Sequence, residues 1–99
     1  MQELPVLSPV ARKILKCCVY NLDDMRRFGS EIYPHMIHSY FDKKSNANQQ
    51  ISEIEIIDTI LYFADVNLAT DIDYDLQGNL KSFRLTHTGF YYFEIEKML

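Results

Sequence analysis

Between Ile51 and Phe93 the apolar and polar positions change period along the chain, and the changes read as helix, strand, tight turn, strand, helix. Ile51-Ser52-Glu53-Ile54-Glu55-Ile56 opens the first of these elements. Ser52 is placed to cap free amides, Glu55 to reach back to the amide of Ser52, and Ile51 to pack on Ile56, a capping box with a hydrophobic staple. The helix is expected from Glu53 to about Ala64, burying Ile56, Ile57, Ile60, Leu61, Phe63 and Ala64. Glu55, Asp58, Thr59 and Tyr62, with Asp65 beside them, form its outer face. Val66, Leu68, Thr70, Ile72 and Tyr74 then alternate with Asn67, Ala69, Asp71 and Asp73, which is the period of a half-buried strand. Asp75 to Asn79 turns the chain, Leu80 to Leu85 returns, and Leu68, Ile72, Phe83 and Leu85 are expected to face the helices. Thr86 caps a last helix, His87 to Met98.

Upstream, Met1 to Leu7 is an apolar arm broken by Pro5, and Ser8-Pro9 reads as an N-cap followed by proline at the first helical position. That helix is expected to reach about Asn21, with Val10, Ala11, Ile14, Leu15, Cys18, Val19 and Leu22 inward. Arg12, Lys13, Lys16 and Tyr20 cover the other side, a solvated face before it is a phosphate-contact surface. Asp23 to Gly29 reads as a connector. A second helix starts at Ser30 or Tyr33, with Pro34 in its first turn and Ile32, Tyr33, Met36, Ile37, Tyr40 and Phe41 as its buried half. Lys43 to Gln50 has no apolar anchor and is expected to be a mobile loop.

Ninety-nine residues make one domain, 1–99, and nearly half of them are apolar, ample for a single core. The chain carries no membrane span and no signal-peptide pattern, and the adjacent Cys17 and Cys18 lack the geometry for an unstrained disulfide. A cytoplasmic protein is expected. Fourteen Asp and Glu outnumber ten scattered Lys and Arg, for a formal net charge of −4, whereas nucleic-acid-binding domains present a concentrated basic face.

Three helices, a hairpin and then Leu85-Thr86-His87-Thr88-Gly89-Phe90-Tyr91-Tyr92-Phe93 resemble small bacterial and phage winged helix-turn-helix proteins, over about Ser8 to Leu99. In that family the strand leaving the wing often ends in a Leu-Thr-x-x-Gly step into an aromatic C-terminal helix. The resemblance implies an α+β fold of three helices, a two-stranded β-hairpin wing and a C-terminal helix. It further implies a non-enzymatic DNA-binding transcriptional regulator, its third helix in the major groove and its wing on the backbone. Thr59 and Tyr62 would then face the groove, and Lys43, Lys44, Lys81 and Arg84 the phosphates. Relatives often dimerise through terminal helices, which points to Phe90, Tyr91, Phe93, Ile95 and Met98 as a homodimer interface. The chain departs from the family where DNA would be read. Its third helix offers Glu55, Asp58 and Asp65 without a Lys or Arg, and Lys81 and Arg84 share the wing with Asp71, Asp73 and Asp75. Phosphates repel such carboxylates. The alternative is a winged-helix module for protein contacts, using the acidic third helix and the aromatic last one.

Other chemistry finds little support. His35, His38 and Asp42 share a helix face but fall short of a closed metal site, and read as a solvated histidine pair. Asp71, Asp73, Asp75 and Gly78 have calcium-loop spacing, yet Leu76 stands where that loop needs glycine and Ser82 where it needs glutamate. Cys18 is expected to be inert and His87 to support local structure. No nucleophile elbow, phosphate-cradling glycine loop or zinc-protease helix occurs, so neither catalysis nor a cofactor is expected.

Overall fold

A computed structural model describes residues 4–22, 28–44 and 50–99. The elements, in order, are α1 (Pro9–Lys16), which runs into a π-helical turn (Cys17–Asn21), then α2 (Pro34–Lys44), α3 (Glu53–Asp65), β1 (Ala69–Tyr74), β2 (Leu80–Leu85), α4 (His87–Phe90) and α5 (Tyr92–Met98). Among the described residues this is an α+β fold with one two-stranded antiparallel sheet, an order compatible with a winged-helix arrangement. No helix among them is long and apolar enough to cross a membrane.

Ser8 caps α1 by accepting a hydrogen bond from the amide of Ala11 at 3.1 Å, with Pro9 at the first position. The helix reaches Asn21 as expected, but its final turn is π-helical, and Cys17, Cys18 and Val19 are all buried. The wider turn aims three successive side chains inward, so Cys17 joins the core; Val10, in the first turn of α1 and expected inward, is only partly covered.

The second helix begins at Pro34, directly after Tyr33, the later of the two expected starts, and not at Ser30. Ile32, expected inside it, is extended instead and bridges β2, donating to the Phe83 carbonyl at 2.8 Å and accepting from the Phe83 amide at 2.9 Å. At its other end α2 extends through Lys44, so Lys43 and Lys44 occupy a last helical turn and not a loop. The remainder of that expected mobile loop, residues 45–49, lies outside the described residues, as do 23–27 of the connector and 1–3 of the arm.

Helix α3 starts where its cap predicts: Ser52 Oγ accepts from the Glu55 amide at 3.1 Å, and both Ile51 and Ile56 are buried. Ile56, Ile60 and Phe63 form its core face. Leu61, expected inside, is exposed because it lies seven residues beyond Ile54 and shares the outward stripe of that residue. The helix closes in a Schellman motif: the Leu68 amide donates to the Phe63 carbonyl at 2.7 Å and the Asn67 amide to Ala64 at 3.3 Å, with Asn67 at φ 64°.

This closure overturns the expected strand start. Val66 ends the helix, β1 begins at Ala69, and Leu68 and Ala69 are both buried where alternation would put them on opposite faces. The register pairs Ala69 with Leu85, Thr70 with Arg84, Asp73 with Ser82 and Tyr74 with Leu80. One extra residue therefore bulges on β1 between Thr70 and Asp73, and one on β2 between Ser82 and Leu80. The first bulge, with Asp71 at φ 53°, turns Ile72 back to a half-buried position; Phe83 and Leu85 are buried as expected. Asp75 organises the turn, its Oδ1 accepting from the amides of Gln77 and Asn79, both at 2.9 Å.

Thr86 then fastens the hairpin to the end of α3. Its Oγ1 accepts from the Gly89 amide at 3.0 Å and donates to the Asn67 carbonyl at 2.7 Å, while its amide donates to Leu68 at 3.0 Å. Gly89 rests on that link so closely that a Cβ would stand 2.0 Å from the Leu68 carbonyl oxygen. The expected single last helix is broken at Tyr91 into α4 and α5. With α4 held at Gly89, the break lets Tyr92 and Phe93, neighbours in sequence, both enter the core.

Candidate interaction surface

The outer face of α3 carries large apolar side chains among carboxylates. Ile54 is 74% exposed, Leu61 36% and Tyr62 41%. Ile54, Asp58, Leu61 and Asp65 recur at helical spacing as one stripe, and Glu55, Thr59 and Tyr62 form the next. Thr59 donates its hydroxyl to the Glu55 carbonyl at 2.8 Å. Beside this face runs a groove of about 380 Å³, walled by Val6 and Ser8 of the N-terminal arm, Ala11 of α1, and Asp58, Thr59 and Tyr62 of α3. The sequence singled out Thr59 and Tyr62; nothing in it marked Val6 or Ser8 as their neighbours.

The cations expected to meet phosphate are placed elsewhere. Arg84 lies 3.5 Å from Asp71 and 3.7 Å from Glu31, and donates to the Gly29 carbonyl at 2.6 Å. Glu31 also accepts the Tyr33 hydroxyl, which, ahead of Arg84, holds its carboxyl below the usual range. Lys81 faces Asp73 at 4.0 Å. The hairpin thus matches its own cations with acids, and Lys43 and Lys44 stand in the last turn of α2.

The basic side of α1 is likewise partly neutralised. Arg12 makes a two-pronged ion pair with Glu96 of α5, and Arg12 and Lys16 lie over the Phe93 ring at 5.3 and 5.7 Å from its centre. Lys13 and Lys16 remain exposed along a second groove of about 340 Å³, with Leu7, Pro9, Arg12 and Phe93.

Of the side chains assigned to a dimer interface, Phe93 is 6% exposed and belongs to the core of the single chain, under α1. Tyr92 is buried too, its hydroxyl donating to the Pro5 carbonyl at 2.6 Å, so the arm folds across α5. Phe90 is half-buried against Phe28 and Tyr91, at ring separations of 5.9 and 4.9 Å. Tyr91, half-buried Ile95 and the 83%-exposed Met98 form one stripe at helical spacing.

His35 is exposed and His38 half-buried, and Asp42 lies within 3.5 Å of the Gln50 side-chain amide. Among the described residues no three His, Cys, Asp or Glu side chains gather as a metal site. Burial pushes the Cys17 thiol up to about 12 and raises Cys18 as well, which removes the thiolate from both. Comparison of the chain with family models, curated proteins and solved structures gives no match.

Proposed function

We propose that the chain is a winged-helix module that acts by binding another protein through the outer face of α3. The observation that carries this reading is the exposed Ile54, Leu61 and Tyr62 set among Glu55, Asp58 and Asp65, in a helix without one Lys or Arg. The partner it suits is a protein segment with apolar side chains interleaved with Lys or Arg. The apolar groups supply contact area, and the charges steer and orient the encounter. The winged-helix assignment is supported by the order helix, extended Ile32, helix, helix, hairpin, with Ile32 paired to β2. Selection from a displayed random-peptide library against the full chain tests it. Enriched peptides should be basic and apolar, and should lose binding to Ile54→Asp and Leu61→Asp; enrichment indifferent to both substitutions removes the reading.

A second reading, a DNA-binding transcriptional regulator, is favoured by the same element order and by Lys43 and Lys44 in the closing turn of α2. Thr59 and Tyr62 would then face the groove, with Lys81 and Arg84 on the phosphates after giving up Asp73, Asp71 and Glu31. Anisotropy titration of mixed genomic fragments should show weak, steeply salt-dependent binding under this reading. Homodimerisation belongs to either reading, through the stripe Tyr91, Ile95 and Met98, and sedimentation at micromolar concentration reads it. A single monomeric species removes it.

A further inference from the structure

We propose that the groove between the Val6–Ser8 arm and α3 receives an arginine side chain of the protein partner. The proposal rests on the reading of α3 as a protein-contact face. Two kinds of wall meet in this groove. Val6, Ala11 and the Tyr62 ring are apolar or aromatic, while Asp58, Ser8 and Thr59 bring a carboxylate and two hydroxyls. No cation lines it.

Asp58 is the decisive group. It is exposed, lies between Ile54 and Leu61 on the same stripe, and makes no ion pair among the described residues. The hairpin acids Asp71 and Asp73 are engaged by Arg84 and Lys81, Glu31 ahead of α2 is engaged by Arg84 as well, and Glu96 is held by Arg12. Asp58 has no such neighbour among the described residues. The two hydroxyls are oriented by the fold, since Ser8 Oγ accepts from the Ala11 amide and Thr59 Oγ1 donates to Glu55. Each oxygen keeps further accepting capacity.

A side chain that is apolar along its stem and cationic at its tip fits such a pair of walls. Arginine suits it better than lysine. Its planar guanidinium makes parallel hydrogen bonds to a carboxylate and stacks on an aromatic face, where an ammonium offers a point charge. Tyr62, 41% exposed and one turn from Asp58, supplies that face. An anionic ligand is disfavoured by Asp58, and a purely apolar side chain would leave its carboxylate unanswered.

The test is a nuclear magnetic resonance titration of the ¹⁵N-labelled full chain, at low salt, with Nα-acetyl-arginine amide as probe. Nα-acetyl-citrulline amide, its neutral isostere, is the control. The arginine probe should shift the amides of Ala11, Asp58, Thr59 and Tyr62 and bind at least about tenfold tighter than citrulline. Asp58→Asn should bring the two probes level without altering the remainder of the spectrum, and Tyr62→Leu should weaken arginine selectively. Equal binding of the two probes, an unaffected Asp58→Asn chain, or shifts centred on Asp65 or Glu94 would overturn the assignment. Library peptides separate the two ideas. Binding that needs Ile54 and Leu61 but ignores Asp58 and any arginine keeps the α3 reading and discards the groove. Arginine binding with no peptide that needs Ile54 or Leu61 discards the α3 reading and keeps the groove as a cation site.

Discussion

Arg12 of α1 grips Glu96 of α5 with two parallel hydrogen bonds, 2.7 and 2.9 Å long, across 84 positions of sequence. The pair fastens the last helix to the first, above the ring of Phe93. The hydrogen bonds from Arg12 hold the Glu96 carboxyl below its ordinary range, and the same bonds raise Arg12. A carboxylate depressed in the folded chain contributes stability that is complete above the unfolded glutamate value, about 4.3, and is lost as pH falls through the lower folded value. Both side chains are partly in water, so the contribution is small and screened by salt. Glu96→Gln should therefore melt lower than the parent at neutral pH, and the two melting curves should converge once acid has protonated the parent glutamate. A difference that persists unchanged into acid would assign the effect to packing.

Ser52→Ala removes the acceptor of the Glu55 amide and should cost about 1 kcal/mol. Urea unfolding of parent and variant measures it, with the midpoint moving and the slope unchanged.

Gly89→Ala should be far more damaging. The added methyl would stand 2.0 Å from the Leu68 carbonyl oxygen, a backbone atom with no freedom to withdraw. The link can open only by giving up the Thr86–Leu68 and Thr86–Asn67 hydrogen bonds. A loss of about 3 kcal/mol or more is expected, read by thermal or urea denaturation.

Tyr92→Phe deletes the hydroxyl that holds the Pro5 carbonyl and leaves the ring in place. The domain should lose about 1 kcal/mol. The arm should become the first site of protease cleavage, which mass spectrometry of limited digests would detect; an unchanged digestion pattern would mean that the packing of Leu4 and Leu7 anchors it without the hydrogen bond.

Which of these features were legible in the sequence follows from how local their causes are. The caps at Ser8, Ser52 and Thr86 and the turn at Asp75 act over a few residues, and each is found where its motif stands. Ile32 left its expected helix because Phe83, far along the chain, offered a bridge. Alternation through Leu68 and Ala69 failed because a Schellman closure reset the phase, and a bulge at Asp71 and Ile72 reset it again; neither has a periodic signature. The interaction surface divides in the same way. The exposed carboxylates of α3 could be read from helical spacing, but the neutralisation of Arg84 by Glu31 and Asp71 depends on a fold that brings three separate segments together. Val6 and Ser8 enter the groove for the same reason.

The hairpin also bears on how copies of this chain behave at high concentration. Strand β2 is bridged at Phe83 by Ile32 on one side and paired with β1 on the other, and among the described residues the outer rim of β1 is an open margin of the sheet. That rim is short, is kinked where Asp71 takes a positive φ, and carries exposed Asp71 and Asp73. An incoming strand would meet an interrupted row of amides and would have to bury exposed negative charge, so the margin is guarded against amyloid-like stacking. Concentrated solutions of the folded chain should stay free of fibres even though nearly half of its residues are apolar.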